Sequence, residues 1–112
     1  MKRKMIQHLT SKADFVEAVM KNPMVLLDVH AAWCAPCKRM KPELAELAMQ
    51  MPGVVFLAVE VEQLEEFGMD AIRREVNAVP TLMLFKQGQR VDTNYGYMAK
   101  DALAQWIVEH SS

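Results

Sequence analysis

The sequence predicts an α/β domain of three layers. Three observations lead there. Short apolar runs of strand length alternate with stretches of helical apolar spacing. The last two strand candidates are split by a tight turn. The composition, 52% hydrophobic and 24% charged over 112 residues, is that of a packed chain. A chain of this length buries roughly two-thirds of its unfolded surface, so it can hold a core as one domain, 1–112, without staples.

The elements follow in order. Met5 to Leu9 is a short strand candidate. Ser11 with Asp14 resembles a capping box and precedes Phe15, Val16, Val19 and Met20, which share one helical face. Asn22-Pro23 ends that helix, because a residue before proline is steered out of the α region. Val25 to His30 is mostly apolar, as expected of a strand buried on both faces. Leu44, Leu47, Ala48 and Met51 have helical spacing, and Pro52-Gly53 stops them. Val54 to Val61 is rich in branched residues and reads as a strand; Gln63 to Val76 reads as a helix interrupted near Gly68. Thr81 to Lys86 and Arg90 to Asn94 flank Gln87-Gly88 as a hairpin, and Leu103, Trp106 and Ile107 stripe a last helix. The order β-α-β-α-β-α-β-β-α implies parallel pairing of the early strands through right-handed crossovers, with the hairpin as an antiparallel edge.

Composition also excludes functions. A net charge of -1 argues against a nucleic-acid binder acting through bulk charge. No run approaches the roughly 20 apolar residues that span a bilayer, so no membrane role is expected. Lys2, Arg3 and Lys4 begin the chain without an apolar stretch behind them, which does not read as a secretory signal; a cytoplasmic location is the expectation. Two cysteines are too few for a disulfide scaffold or a four-thiolate zinc site.

Those two cysteines carry the chemistry. Trp33-Cys34-Ala35-Pro36-Cys37-Lys38 follows the buried strand and opens a helix. Cys34 is expected just before the first helical turn, where free N–H groups and the helix dipole stabilise a thiolate. Pro36 suits the first turn, where the N–H it lacks would have no partner anyway. Two intervening residues place both sulfurs on one turn, close enough to bond. Trp33 offers an apolar shoulder for docking. Two readings compete: cysteines serving only as small hydrophobes, and a partial metal site. The latter needs ligands from His8, His30 and His110, which form no H-x-x-x-H pair, so Cys34, Cys37 and His30 are its best set. Two cysteines at this spacing, at a strand-to-helix junction and with a proline between them, favour dithiol chemistry with no metal.

From about Ser11 to His110 the chain resembles the thioredoxin family. The resemblance rests on Val25–Asp28, Trp33–Lys38 with Pro42, Val59–Gln63, Val79-Pro80-Thr81, Phe85-Lys86-Gln87-Gly88 and Gly96. It implies a thioredoxin fold: a central mixed sheet of about five strands flanked by four helices. It implies a protein-disulfide reductase in which Cys34 attacks, Cys37 resolves, and Asp28 is the buried carboxylate beneath the pair. Pro80 would follow a cis peptide and face the sulfurs. Trp33, Val79, Pro80 and Gly96 would form the groove for an extended substrate segment. Pro42 would kink the active-site helix. The redox-active disulfide would be the only redox group, with no cofactor. Disulfide-containing proteins would be the substrates, an NADPH-dependent thioredoxin reductase the electron source, and a monomer the working form. Burial in an apolar strand should raise the Asp28 pKa and suit it to take the Cys37 proton.

The chain departs from the family pattern at several positions. Ala35 stands where glycine is usual, removing backbone freedom beside the thiols. His30 replaces an aromatic residue and points to the same face as Asp28. It is either a satisfied core histidine or an imidazole coupled to Asp28 or the thiols. Ala58 replaces a lysine, depriving Asp28 of a charge partner. The stretch between Gln63 and Arg73 is longer than usual, and Ala99 forfeits a side-chain cap on the last helix. The alternatives to a reductase are an oxidase or isomerase of the same fold, and a non-catalytic binding module.

Overall fold

The computed structural model describes residues 6–112, so Met5 and the basic start of the chain lie outside the described residues. Among the described residues, five strands, numbered in chain order, form one mixed sheet in the order β1-β3-β2-β4-β5. They are β1 (Ile6–His8), β2 (Met24–His30), β3 (Val55–Glu60), β4 (Thr81–Lys86) and β5 (Gln89–Tyr95). β1 and β2 both run parallel to β3, while β4 pairs antiparallel with β2 and with β5. The helices are α1 (Lys12–Lys21), α2 (Ala35–Gln50), α3 (Val61–Glu66), α4 (Asp70–Arg73) and α5 (Lys100–Ser111).

Alternation along the central strands makes three layers. Val25, Leu27 and Val29 of β2 join Leu57, Val59, Met83 and Phe85 in one apolar cluster, which reaches Val19 of α1 and Leu64 of α3. Leu26 joins Phe56, Leu82 and Leu84 on the opposite face, packed on Met40, Leu44 and Leu47 of α2 and Leu103 and Ile107 of α5. β2 is therefore covered on both sides, which is why it reads as an apolar run. Asp28 and His30 continue the Leu26 side of β2 and place polar groups beneath the start of α2.

The local signals act as their chemistry requires. Ser11 Oγ accepts from the Asp14 N–H at 3.2 Å and starts α1. Pro42 lies inside α2 and leaves the Lys38 carbonyl without its usual i+4 donor. Ala99 caps α5 with its carbonyl only, accepting from Leu103 N–H at 2.9 Å.

Among the described residues the sheet is flanked by five helices, not the four expected, because the segment read as one interrupted helix is two. Gly68 adopts φ +72°, open to glycine without strain. The Met69 N–H then bonds the Leu64 carbonyl at 2.7 Å, and the Gly68 N–H bonds the Glu65 carbonyl at 3.0 Å. That pair of bonds closes α3 as a Schellman motif, with Met69 and Leu64 both buried at the end, and α4 restarts at Asp70. Val61, read as the end of a strand, already belongs to α3.

Candidate active site

Parallel strands deliver their chemistry at the carboxyl end of the sheet, where β2 feeds α2. Cys34 is the N-cap of α2, with Ala35 and Pro36 filling its first turn. Cys34 and Cys37 are joined in a disulfide, with Cα atoms 5.3 Å apart. The Cys37 N–H donates to Cys34 Sγ at 3.2 Å, so the helix start offers that sulfur a donor as well as its dipole. Both cysteines are buried, while Trp33 beside them is 71% exposed. The Trp33 indole N–H reaches Glu62 at 3.4 Å, which props the ring at the rim.

A second wall comes from the turn into β4. The Val79-Pro80 peptide is cis, and Cys34 Sγ lies 3.5 Å from the Val79 carbonyl oxygen. Buried Thr81 donates its hydroxyl to the Ala78 carbonyl, and the Gly96 N–H donates to the Pro80 carbonyl at 2.8 Å. Gly96 has φ +96°, a conformation that side chains rarely adopt, so glycine suits this turn at the end of β5. Trp33, Cys34, Val79, Pro80 and Gly96 thus come from three separate stretches of chain.

Asp28 lies behind the disulfide. Its pKa is pushed up to about 7 by burial, which disfavours the carboxylate. Ala58 is its partner across the β2–β3 ladder, and His8 is the partner of Ala58 on the far side. The small side chain of Ala58 leaves a pocket of about 450 Å³ between these strands and α2. Asp28, His8, His30 and Glu60 line it from the sheet; Cys37, Lys38 and Lys41 line it from α2. His30 is half-buried, and burial lowers its pKa, with Glu60 opposing and His8 and Lys41 assisting.

The sequence reading missed His8, Glu60 and Lys41 as neighbours of Asp28. Once parallel register is known, alternation puts His8 and Glu60 on that face; their separation along the chain hides it. Among the described residues no group of three or more His, Cys, Asp or Glu is placed to hold a metal ion.

The comparisons agree with this geometry. The family model described as Thioredoxin matches residues 6–109. A thioredoxin of Chlamydia trachomatis is 35% identical over 102 residues, covering 91% of this chain and 96% of that one. Oxidised mitochondrial thioredoxin 3 of Saccharomyces cerevisiae superposes with a TM-score of 0.78 at 33% identity, covering 93% of this chain and 94% of its own. The thioredoxin of Plasmodium falciparum gives 0.79 at 31% identity, covering 93% and 98%. Thioredoxins act on disulfide substrates and are themselves reduced by a thioredoxin reductase. With its dithiol pair at a helix start, its cis-proline wall and a match over nearly all its length, the chain belongs to the thioredoxin family and is a thiol–disulfide oxidoreductase.

Proposed function

We propose that the chain works as a single-domain, monomeric protein-disulfide reductase of the cytoplasm, recharged by an NADPH-dependent thioredoxin reductase. The observation that carries this reading is the Cys34–Cys37 pair at the start of α2 with Asp28 behind it. Cys34 thiolate attacks a substrate sulfur, and one substrate thiolate leaves. Cys37 then gives its proton to the Asp28 carboxylate and attacks Cys34 Sγ. The second substrate thiolate leaves and takes a proton from solvent, so two electrons pass to the substrate and Cys34–Cys37 is oxidised. Trp33, Val79, Pro80 and Gly96 receive the substrate segment, with its main chain aligned along the Val79 turn. A dithiol that must be regenerated suits a reducing compartment.

Insulin reduction driven by NADPH and a thioredoxin reductase tests this. Wild type is expected to turn over, Cys34→Ser to be inactive, and Cys37→Ser to accumulate a mixed disulfide visible by mass. Wild-type activity equal to that of both variants would refute the reading. Equilibration against glutathione reads the poise, and a potential above the cytosolic glutathione range would reassign the protein as an oxidant.

A further inference from the structure

The pocket behind the disulfide holds more ionisable groups than the two-thiol exchange uses. Asp28 and His30 sit two residues apart on one face of β2, roughly 7 Å between Cα atoms at strand spacing. His8 stands on the same face of β1, its ring centroid 6.2 Å from that of His30 in an edge-to-face contact. Cys37 lines the same space from above. His8, Lys38 and Lys41 are exposed, so the pocket runs from the resolving sulfur to solvent. The pocket is roomy enough for water, and the titratable side chains along its mainly apolar wall offer that water partners for bridging between the groups.

We propose that His30 is a proton relay, passing the proton that Asp28 takes from Cys37 through this pocket to solvent and returning it in the reverse reaction. The inference rests on the reductase reading and adds a positioning residue that acts through Asp28. In chemical terms, Asp28 carboxyl gives its proton to one imidazole nitrogen of His30, and a proton leaves for water, with His8 at the outlet. An acid of pKa near 7 releases its proton slowly to bare water, whereas a neutral imidazole nitrogen is a far better acceptor than water. Burial favours that neutral form in His30. The other charged groups around it are His8 on β1, Glu60 on β3, Glu62 on α3, and Lys38 and Lys41 on α2. Of these, Glu60 and Glu62 raise its basicity, and His8 and Lys41 lower it.

The test is stopped-flow oxidation of the reduced protein by 5,5′-dithiobis(2-nitrobenzoate). Cys34 attack releases the first thionitrobenzoate in a bimolecular phase. Cys37 attack releases the second in a unimolecular phase, and this leaving group needs no proton. His30→Gln keeps bulk and polarity but cannot relay; His30→Ala leaves room for added imidazole. Both are expected to keep the first phase and to slow the second at least fivefold at pH 6, where Asp28 starts mostly protonated and must be emptied through the pocket before it can accept from Cys37. The deficit should shrink toward pH 8, and imidazole should restore His30→Ala. In an Asp28→Asn background the His30 changes should add nothing. An unchanged second phase, or a deficit that imidazole leaves in place, overturns the relay. Absence of a second phase in wild type would instead overturn the reductase reading beneath it.

Discussion

Replacing Asp28 with Asn should make the protein more stable as well as slower, and the size of the gain should depend on pH. Burial lifts the folded pKa of Asp28 from the ordinary 3.8 to about 7. The folded state therefore holds this proton more tightly than the unfolded chain. Stability from the group is complete below pH 4 and drains away as pH rises toward and through 7. A separation of about three pKa units corresponds to a ceiling of about 4 kcal/mol at pH 8 and about 2 kcal/mol at pH 5. The opening of the pocket to water trims both figures. Asn has the shape of the neutral acid and titrates nowhere, so the variant escapes the loss. Urea unfolding of the oxidised proteins at pH 5, 6, 7 and 8 measures the difference. Subtracting the two curves cancels the other groups, His30 among them, whose depressed pKa acts with the opposite sign by removing stability as pH falls. The gap should widen by about 2 kcal/mol from pH 5 to pH 8, while the resolving step slows in the same variant. Parallel stability curves would mean that Asp28 is not held as a strained acid, and the argument for it as the Cys37 base would fall with them.

Two other substitutions probe neighbouring links. Ala58→Lys would place an ammonium on the strand partner of Asp28; it should lower the Asp28 pKa, move the inflection of the resolving rate to lower pH and shrink the stability gap just described, all read from pH–rate and urea curves. Ala99→Ser would add the side-chain cap that α5 lacks, raising stability by about 1 kcal/mol in urea unfolding, with insulin reduction unchanged.

The layered fold was legible because its signals are local. Val25 to His30 reads as a doubly covered strand from its own residues, and Ser11 and Pro52-Gly53 mark helix boundaries by their own chemistry. The cysteine pair is equally local: spacing, the proline and the preceding strand all lie within a few residues. Where the reading fell short, the missing information was geometric. Gly68 signalled an interruption, but whether the helix resumed in line or closed and restarted depended on φ at one residue and on bonds back to Leu64 and Glu65. The cis bond before Pro80 came only from family resemblance, since a proline alone favours trans. The pocket was the least legible feature. It needs His8, Asp28 and Glu60 from three strands in parallel register, plus the absence of bulk at Ala58, and no window of sequence contains them together.

That pocket changes how the acid beneath the disulfide is to be understood. Asp28 continues a strand face that elsewhere presents Leu26 to α2, and burial there raises its pKa and makes it a base of useful strength near neutrality. In the proposed reaction a fully sealed acid would be of little use, because the proton taken from Cys37 must leave before the next cycle. Ala58 opens the space without supplying a countercharge, so the carboxyl stays weakly acidic while its proton gains a route outward. A lysine at this position would offer the opposite arrangement, with a stronger charge partner and a narrower cavity. His30 follows from the same geometry: on the Asp28 face of β2 it is half-buried, which favours its neutral form, and it lines the pocket that opens to water. The departures at residues 30 and 58 are thus coupled, because an imidazole can serve Asp28 only where the side chain opposite leaves it a path.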